Sequence, residues 1–332
     1  LDDKNIDSKK IFDAAKYCKS DLTSEIVYEF PELQGIMGGK YLRNEGFDDE
    51  ICLAVSEHYL PSFYKDALPS TKNGAIISIS DKIETLISIF ILGKRPSGSS
   101  DPYALRRNLN GVIRIIWDFE FNLSLKKIFE ELLDFWAESI PNVSFTKEKV
   151  LNDLIEFLIQ RIVSLLEEIA LEKDLIKAIF SSNNYSKEKI LNVLDLKKRI
   201  ESIFISKEKG TFDLIQKVII RISKLANNGN LETNIFSTKN YVDPNLFEKK
   251  CESEAFKFIN ELEDNYSTIY CDYSNLLNAF KNNIKILEDL FDPNEGVLIM
   301  SGDTNLKNNR LNLLSLIRNY SLKIADFTLL NS

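Results

Sequence analysis

Two clusters of side chains in this 332-residue chain have the types and spacing needed to hold a polyanion. The first is Arg106, Arg107 and Arg114, with Lys94 and Arg95 a short way upstream. A guanidinium donates paired, parallel hydrogen bonds that fix a phosphate in one orientation, while an ammonium acts as a point charge. The second is Asn305, Lys307, Asn308, Asn309 and Arg310. Amides donate and accept, so they can read the edges of unpaired bases while neighbouring cations take the backbone. This is the chemistry of RNA recognition, in which no covalent bond is made or broken. Each cluster also has an internal reading. Arg106, Arg107 or Arg114 can pair with Asp81, Glu84 or Glu25, and Arg310 with Asp326, as ion pairs inside the fold. Lys197, Lys198 and Arg199 form a third basic run, read as a solvated helix face, with an RNA backbone contact as the alternative.

The elements that must position these side chains are helices. Ile76, Ile79, Ile83, Leu86, Ile87 and Phe90 recur at helical spacing and predict a buried stripe. Gly93, Pro96 and Gly98 stop that helix, and Asp101-Pro102 marks the start of the next. At ~100° per residue, Leu105, Leu109, Val112 and Ile116 share one arc and Arg106, Arg107, Asn110 and Arg114 fall opposite. Further stripes follow at Leu125, Ile128, Leu132, Leu133 and Trp136, and from Leu151 to Ile169. A last helix carries Leu313, Leu314, Ile317 and Ile324. The fold class expected is all-α. The Ser/Gly-rich stretch before Asp101 lacks the GxxxxGK[ST] spacing and a preceding strand, which excludes a nucleotide triphosphate loop of that type.

Composition narrows the function classes. Hydrophobic content of 44% and charged content of 28% describe a globular chain. A net charge of −8 argues against a nonspecific nucleic-acid binder, so any RNA surface must be a local patch. Cys18, Cys52, Cys251 and Cys271 form no CxxC pair and read as free thiols of a cytoplasmic protein. No apolar run is long enough to span a bilayer, and no signal-peptide core opens the chain. Neither a membrane nor DNA is expected as a partner.

Longer motifs carry a resemblance. Asp81-Lys82, Pro96, Gly98, Asp101-Pro102 and Ala104-Leu105-Arg106-Arg107 resemble the signature of the glycyl-tRNA synthetase β subunit, from the bacterial enzyme built of separate α and β chains. Glu29 through Gly38 (EFPELQGIMG), Glu57-His58-Tyr59-Leu60-Pro61, Asn309-Arg310-Leu311 and Ala325-Asp326 match the same family in order. The resemblance implies that this is the C-terminal half of that subunit.

It also implies a multidomain helical layout: a degenerate HD-like domain at 1–140, a helical linker or body at 141–252, and a DALR-like anticodon-binding domain at 253–332. By likeness to the HD phosphohydrolases, Asp21 stands at the HD aspartate, Ser20 replaces its histidine, and Asp81 matches the downstream aspartate. With His58, the only histidine, these are the candidate metal ligands, too few for a dinuclear site. The expectation is therefore no catalytic residue and no cofactor in this chain, with ATP and Mg²⁺ used by the α chain. The expected partners are tRNA-Gly and the α subunit, in a heterotetramer of two α and two β chains. Two alternatives stay open, an HD-type metal-dependent phosphohydrolase and a helical scaffold with no RNA role.

Overall fold

The computed structural model describes residues 6–63, 65–96, 100–168, 171–181 and 192–330. Gly98 of the central motif lies outside them. Among the described residues there are helices and turns but no strand, so the chain is all-α. Contacts gather it into two compact units, Leu1–Glu168 with Leu191–Leu194, and Ile169–Ile190 with Asp195–Ser332.

The first unit holds α1 (Ser8–Tyr17), α2 (Glu25–Glu29), α3 (Ile36–Asn44), α4 (Asp49–Glu57), α5 (Lys72–Ile91), α6 (Leu105–Phe119), α7 (Leu125–Ser139) and α8 (Lys147–Glu168). Its centre is the α5–α6 pair, where Ile83, Leu86 and Ile87 meet the buried Leu109, Val112, Ile113 and Ile116 side of α6. The expected stripe on α5 is therefore its core face. Gly111 lets Lys82 pass between these helices: a Cβ there would stand 3.0 Å from Lys82 Cε. The Lys82 ammonium donates to the carbonyls of Tyr59 and Leu60 and to Ser78 Oγ, so each of its protons has a partner. Helices α7 and α8 pack against each other within this unit, so residue 141 falls between two helices that share a core.

The start of α6 differs in detail from the Asp-Pro signal. Asp101 does cap, accepting from the Leu105 and Arg106 amides at 2.8 and 3.0 Å. The helix nevertheless begins at Leu105, after Ala104 in the left-handed region, and Pro102 lies outside it.

The second unit contains α9 (Lys173–Ser181), α10 (Val193–Glu208), α11 (Phe212–Ala226), α12 (Lys250–Asn265), α13 (Tyr273–Asn282), α14 (Ile284–Asp289) and α15 (Thr304–Ser321). Helix α10 opens at the boundary, its first two residues grouping with the first unit. The organising contact is between α11 and α15, and Phe212 stacks on Phe327 with centroids 5.6 Å apart. Arg199 corrects the reading of its basic run. It is fully buried and donates to the Ile179 carbonyl, with Asp195 as an ion-pair partner on the same helix.

Candidate functional site

Helix α15 is unusually polar for a buried element, with Asn309, Arg310, Arg318 and Asn319 all enclosed. The reason lies in residues 227–243, which have no regular secondary structure and satisfy only some of their own backbone groups, in turns such as Tyr241 and Val242 N–H to the Thr238 carbonyl. Side chains of α15 serve others. Asn309 accepts from the Asp243 amide at 2.7 Å and donates to the Asp243 carbonyl at 3.0 Å. Asn312 donates to the Tyr241 carbonyl, Arg318 to that of Leu231, and Asn319 to those of Glu232 and Ile235.

This packing leaves an open groove of about 590 Å³ between the 240–246 segment and the first turns of α15. Asn305, Asn308 and Asn240 line it with exposed amides. Tyr241, 38% exposed, adds an aromatic ring, and Leu246 an apolar edge. Asn240 adopts φ 69°, a left-handed conformation that asparagine tolerates better than most residues. Amides beside an aromatic face suit an unpaired base, which can stack on the ring and hydrogen-bond at its edge.

Two members of the terminal cluster leave the interface. Asn309 is buried and committed to Asp243. Arg310, 3% exposed, donates from Nε to Glu252 at 2.9 Å and from Nη2 to Glu248 at 2.7 Å, and Nη1 reaches the Leu298 carbonyl. Its carboxylate partners are thus Glu252 and Glu248, not Asp326. Burial opposes the charge, but the two glutamates outweigh it and raise the guanidinium pKa above its ordinary value. Lys307 is half-buried on α15, beside the groove-lining Asn305 and Asn308.

The central cluster, in the first unit, is more open. Among the described residues no carboxylate pairs with Arg106 or Arg107. Arg107 is exposed, its guanidinium 5.3 Å from the centre of the Phe63 ring. Arg106 reaches the Ser100 carbonyl, and the adjacent Arg161 is lowered in pKa by burial and then by Arg106. Lys94 is exposed and donates to the Tyr103 hydroxyl at 2.6 Å. Arg95 pairs with Asp153, and Arg114 donates to the Phe63 and Asp66 carbonyls. Arg114 is thus a clasp to a loop, and Arg95 is partly neutralised.

The candidate metal ligands are turned to other partners. Asp21 Oδ2 accepts from the Gly35 and Gly38 amides at 2.7 and 2.9 Å, fixing the turn into α3. His58 and Asp81 meet through a residue the sequence reading passed over, Lys19. Its ammonium lies 2.7 Å from Asp81 Oδ1, 3.1 Å from His58 Nε2 and 4.0 Å from the centre of the Tyr59 ring. Among the described residues no group of three His, Cys, Asp or Glu side chains is arranged to hold a metal ion. Asp21, His58 and Asp81, the weak candidates for a metal, thus make the contacts of a structural cluster, with a lysine supplying the positive charge between His58 and Asp81. Burial opposes the Lys19 charge, yet Asp81 more than offsets it, and the ammonium pKa is raised.

His58 is a neutral imidazole at pH 7. Burial pushes its pKa down to about 4, and Nδ1 lies 2.6 Å from the Val55 carbonyl, which leaves Nε2 to accept from Lys19. Because the folded state holds its proton less tightly than the unfolded state does, stability falls as pH drops from about 6.5 towards about 4. The expected slope from this group is at most about 1.4 kcal/mol per pH unit. Urea titrations between pH 7 and 4 check it: the slope should be shallower in His58→Phe, and an equal slope would rule out this group.

Asn312, Asn240 and Tyr241 were also missed. A signal for the first existed: asparagines at 305, 308, 309 and 312 recur at three and four along one helix face.

Residues 2–181 match the family model described as the glycyl-tRNA synthetase beta subunit. The glycine–tRNA ligase beta subunit of Trichodesmium erythraeum is 37% identical over 326 residues, covering 97% of this chain and 45% of that protein. Those of Thermodesulfovibrio yellowstonii and Clostridioides difficile are 34% and 31% identical, each covering 95% of this chain and 43% of the relative. The chain therefore spans less than half the length of the relatives it matches.

Proposed function

The chain belongs to the glycyl-tRNA synthetase beta subunit family, and from that premise we propose that it is a tRNA-binding, non-catalytic portion of such a subunit. It holds tRNA-Gly while a separate alpha subunit, using ATP and Mg²⁺, joins glycine to the tRNA and releases AMP and diphosphate. The observation that carries the reading is the groove lined by Asn305, Asn308, Asn240 and Tyr241. It offers amides and a ring to bases, and its one charged lining residue, Asp243, is an anion that disfavours phosphates there, so no cation holds every polyanion alike. Phosphate contacts come from Arg106, Arg107 and Lys94 on the first unit. The HD-phosphohydrolase alternative loses support, because Lys19 fills the space between His58 and Asp81.

Gel shifts of tRNA-Gly and a noncognate tRNA across a salt series test this. The chain should prefer tRNA-Gly and bind more weakly as salt rises. Asn308→Ala with Tyr241→Ala should weaken tRNA-Gly by about 10-fold or more, from ~1–3 kcal/mol for a lost base stack, and reduce the preference. Arg107→Ala should weaken both tRNAs alike and lower the salt slope by about one. Equal affinity for the two tRNAs, or no binding, would overturn the reading in favour of a helical scaffold. The chain alone with glycine and ATP should exchange no pyrophosphate.

A further inference from the structure

Arg161 reaches from α8 to α6, where its Nε donates to Asn110 Oδ1 at 3.2 Å. Among the described residues its Nη1 and Nη2 have no acceptor. Asn110 stands one turn beyond Arg106 on the basic face of α6, so Arg161, held on Asn110, is a neighbour of Arg106. Among the described residues no carboxylate lies within ion-pair distance of either guanidinium, and Glu168 and Asp101 act on Arg161 only from farther away. Both Asp101 oxygens are already engaged by the Leu105 and Arg106 amides.

This juxtaposition runs against the charge balance of the chain. Carboxylates outnumber lysines and arginines, 50 to 42, and Arg43, Arg95 and Arg310 each have a carboxylate partner. Arg106 and Arg161 are instead half-buried side by side, and burial, then the charge of Arg106, lowers the Arg161 pKa. Two cations held together against their repulsion, with donors unspent, suit an anion that arrives from outside. We propose that Arg106 and Arg161 form a clamp for a single phosphate group, with Asn110 as the positioning residue of Arg161. Asn110 fixes the guanidinium plane through Nε and leaves the two Nη groups to donate to phosphate oxygens as a planar fork. The inference rests on the tRNA reading only for the source of that phosphate, the tRNA backbone.

Two titrations of the full chain test it: tRNA-Gly by gel shift across a salt series, and inorganic phosphate by nitrogen-15 NMR of the arginine Nε–H signals. Arg161→Gln should weaken tRNA-Gly about tenfold, the lower end for a hydrogen bond to a charged group, and lower the salt slope by about one. Arg161→Lys should keep the slope and lose affinity, because an ammonium has the charge without the fork. Asn110→Ala should weaken tRNA-Gly in the wild-type chain yet add nothing to Arg161→Gln, a non-additivity that a merely structural asparagine would not show. Inorganic phosphate should shift the signal that Arg161→Gln removes. Thermal melts of these variants should stay near that of wild type, since neither side chain belongs to the core. The inference is overturned if both Arg161 variants bind tRNA-Gly with wild-type affinity and slope, or if phosphate leaves the Arg161 signal in place. A chain that binds no tRNA, but whose Arg161 signal phosphate shifts, would remove the tRNA reading and keep the clamp.

Discussion

Arg310→Met will destabilise the second unit by about 3–5 kcal/mol, the cost of breaking a buried ion pair by removing one partner. Glu252 is fully buried, and Arg310 is the cation that meets it, at 2.9 Å. Glu252 also accepts from the Glu248 and Lys249 amides at the start of α12, so a stranded carboxylate disturbs that helix end as well. Urea unfolding of the second unit measures the loss. Glu248 is largely exposed, and its exchange for Gln should cost under about 1 kcal/mol, as for exposed pairs generally. The contrast between these two substitutions separates a structural arginine from an RNA-contacting one. If Arg310→Met left stability unchanged and weakened only tRNA binding, the residue would return to the interface.

Gly39→Ala will destabilise the first unit by about 2–3 kcal/mol, although alanine is the better helix former by ~1 kcal/mol. A Cβ at Gly39 would overlap the Cys52 carbonyl and the Ser56 hydroxyl on α4. Ser56 can rotate, but the carbonyl belongs to the backbone of α4, so the two helices must separate. Their separation would loosen the cluster of Leu42, Cys52, Ala54 and Val55 beneath. Gly302→Ala is the control, since no atom lies within 4 Å of the added carbon. Thermal melts should show a clear drop for the first and almost none for the second.

The helices and their core faces were legible because burial imposes a period on sequence. The stripes of α5 and α6 appear where the spacing places them, with Ile83, Leu109 and Ile116 enclosed. What sequence could not reveal is which polar side chains face inward. Asn309, Arg310 and Arg318 have the same types as RNA-contacting residues, but residues 227–243 and the Glu252 carboxylate draw them into the interior. Nothing local marks that choice, because partners such as Asp243 and Glu252 lie 66 and 58 residues away. Lys19 was illegible for a similar reason, as it meets His58 and Asp81 only through the fold. On α7, periodicity merged two faces into one stripe, and only packing separates Leu133 from Ile128 and Leu132.

The 227–243 segment takes its shape from the side chains of a neighbouring helix, with Asn309, Asn312, Arg318 and Asn319 acting as pegs along its length. On the proposed reading, a nucleotide arriving at the rim would meet a surface already set, and would be spared the ~1–2 kcal/mol of entropy that fixing each loose residue demands. The same arrangement makes the segment a gauge of its support: amide hydrogens from Leu231 to Asp243 should exchange with solvent in step with the terminal helix.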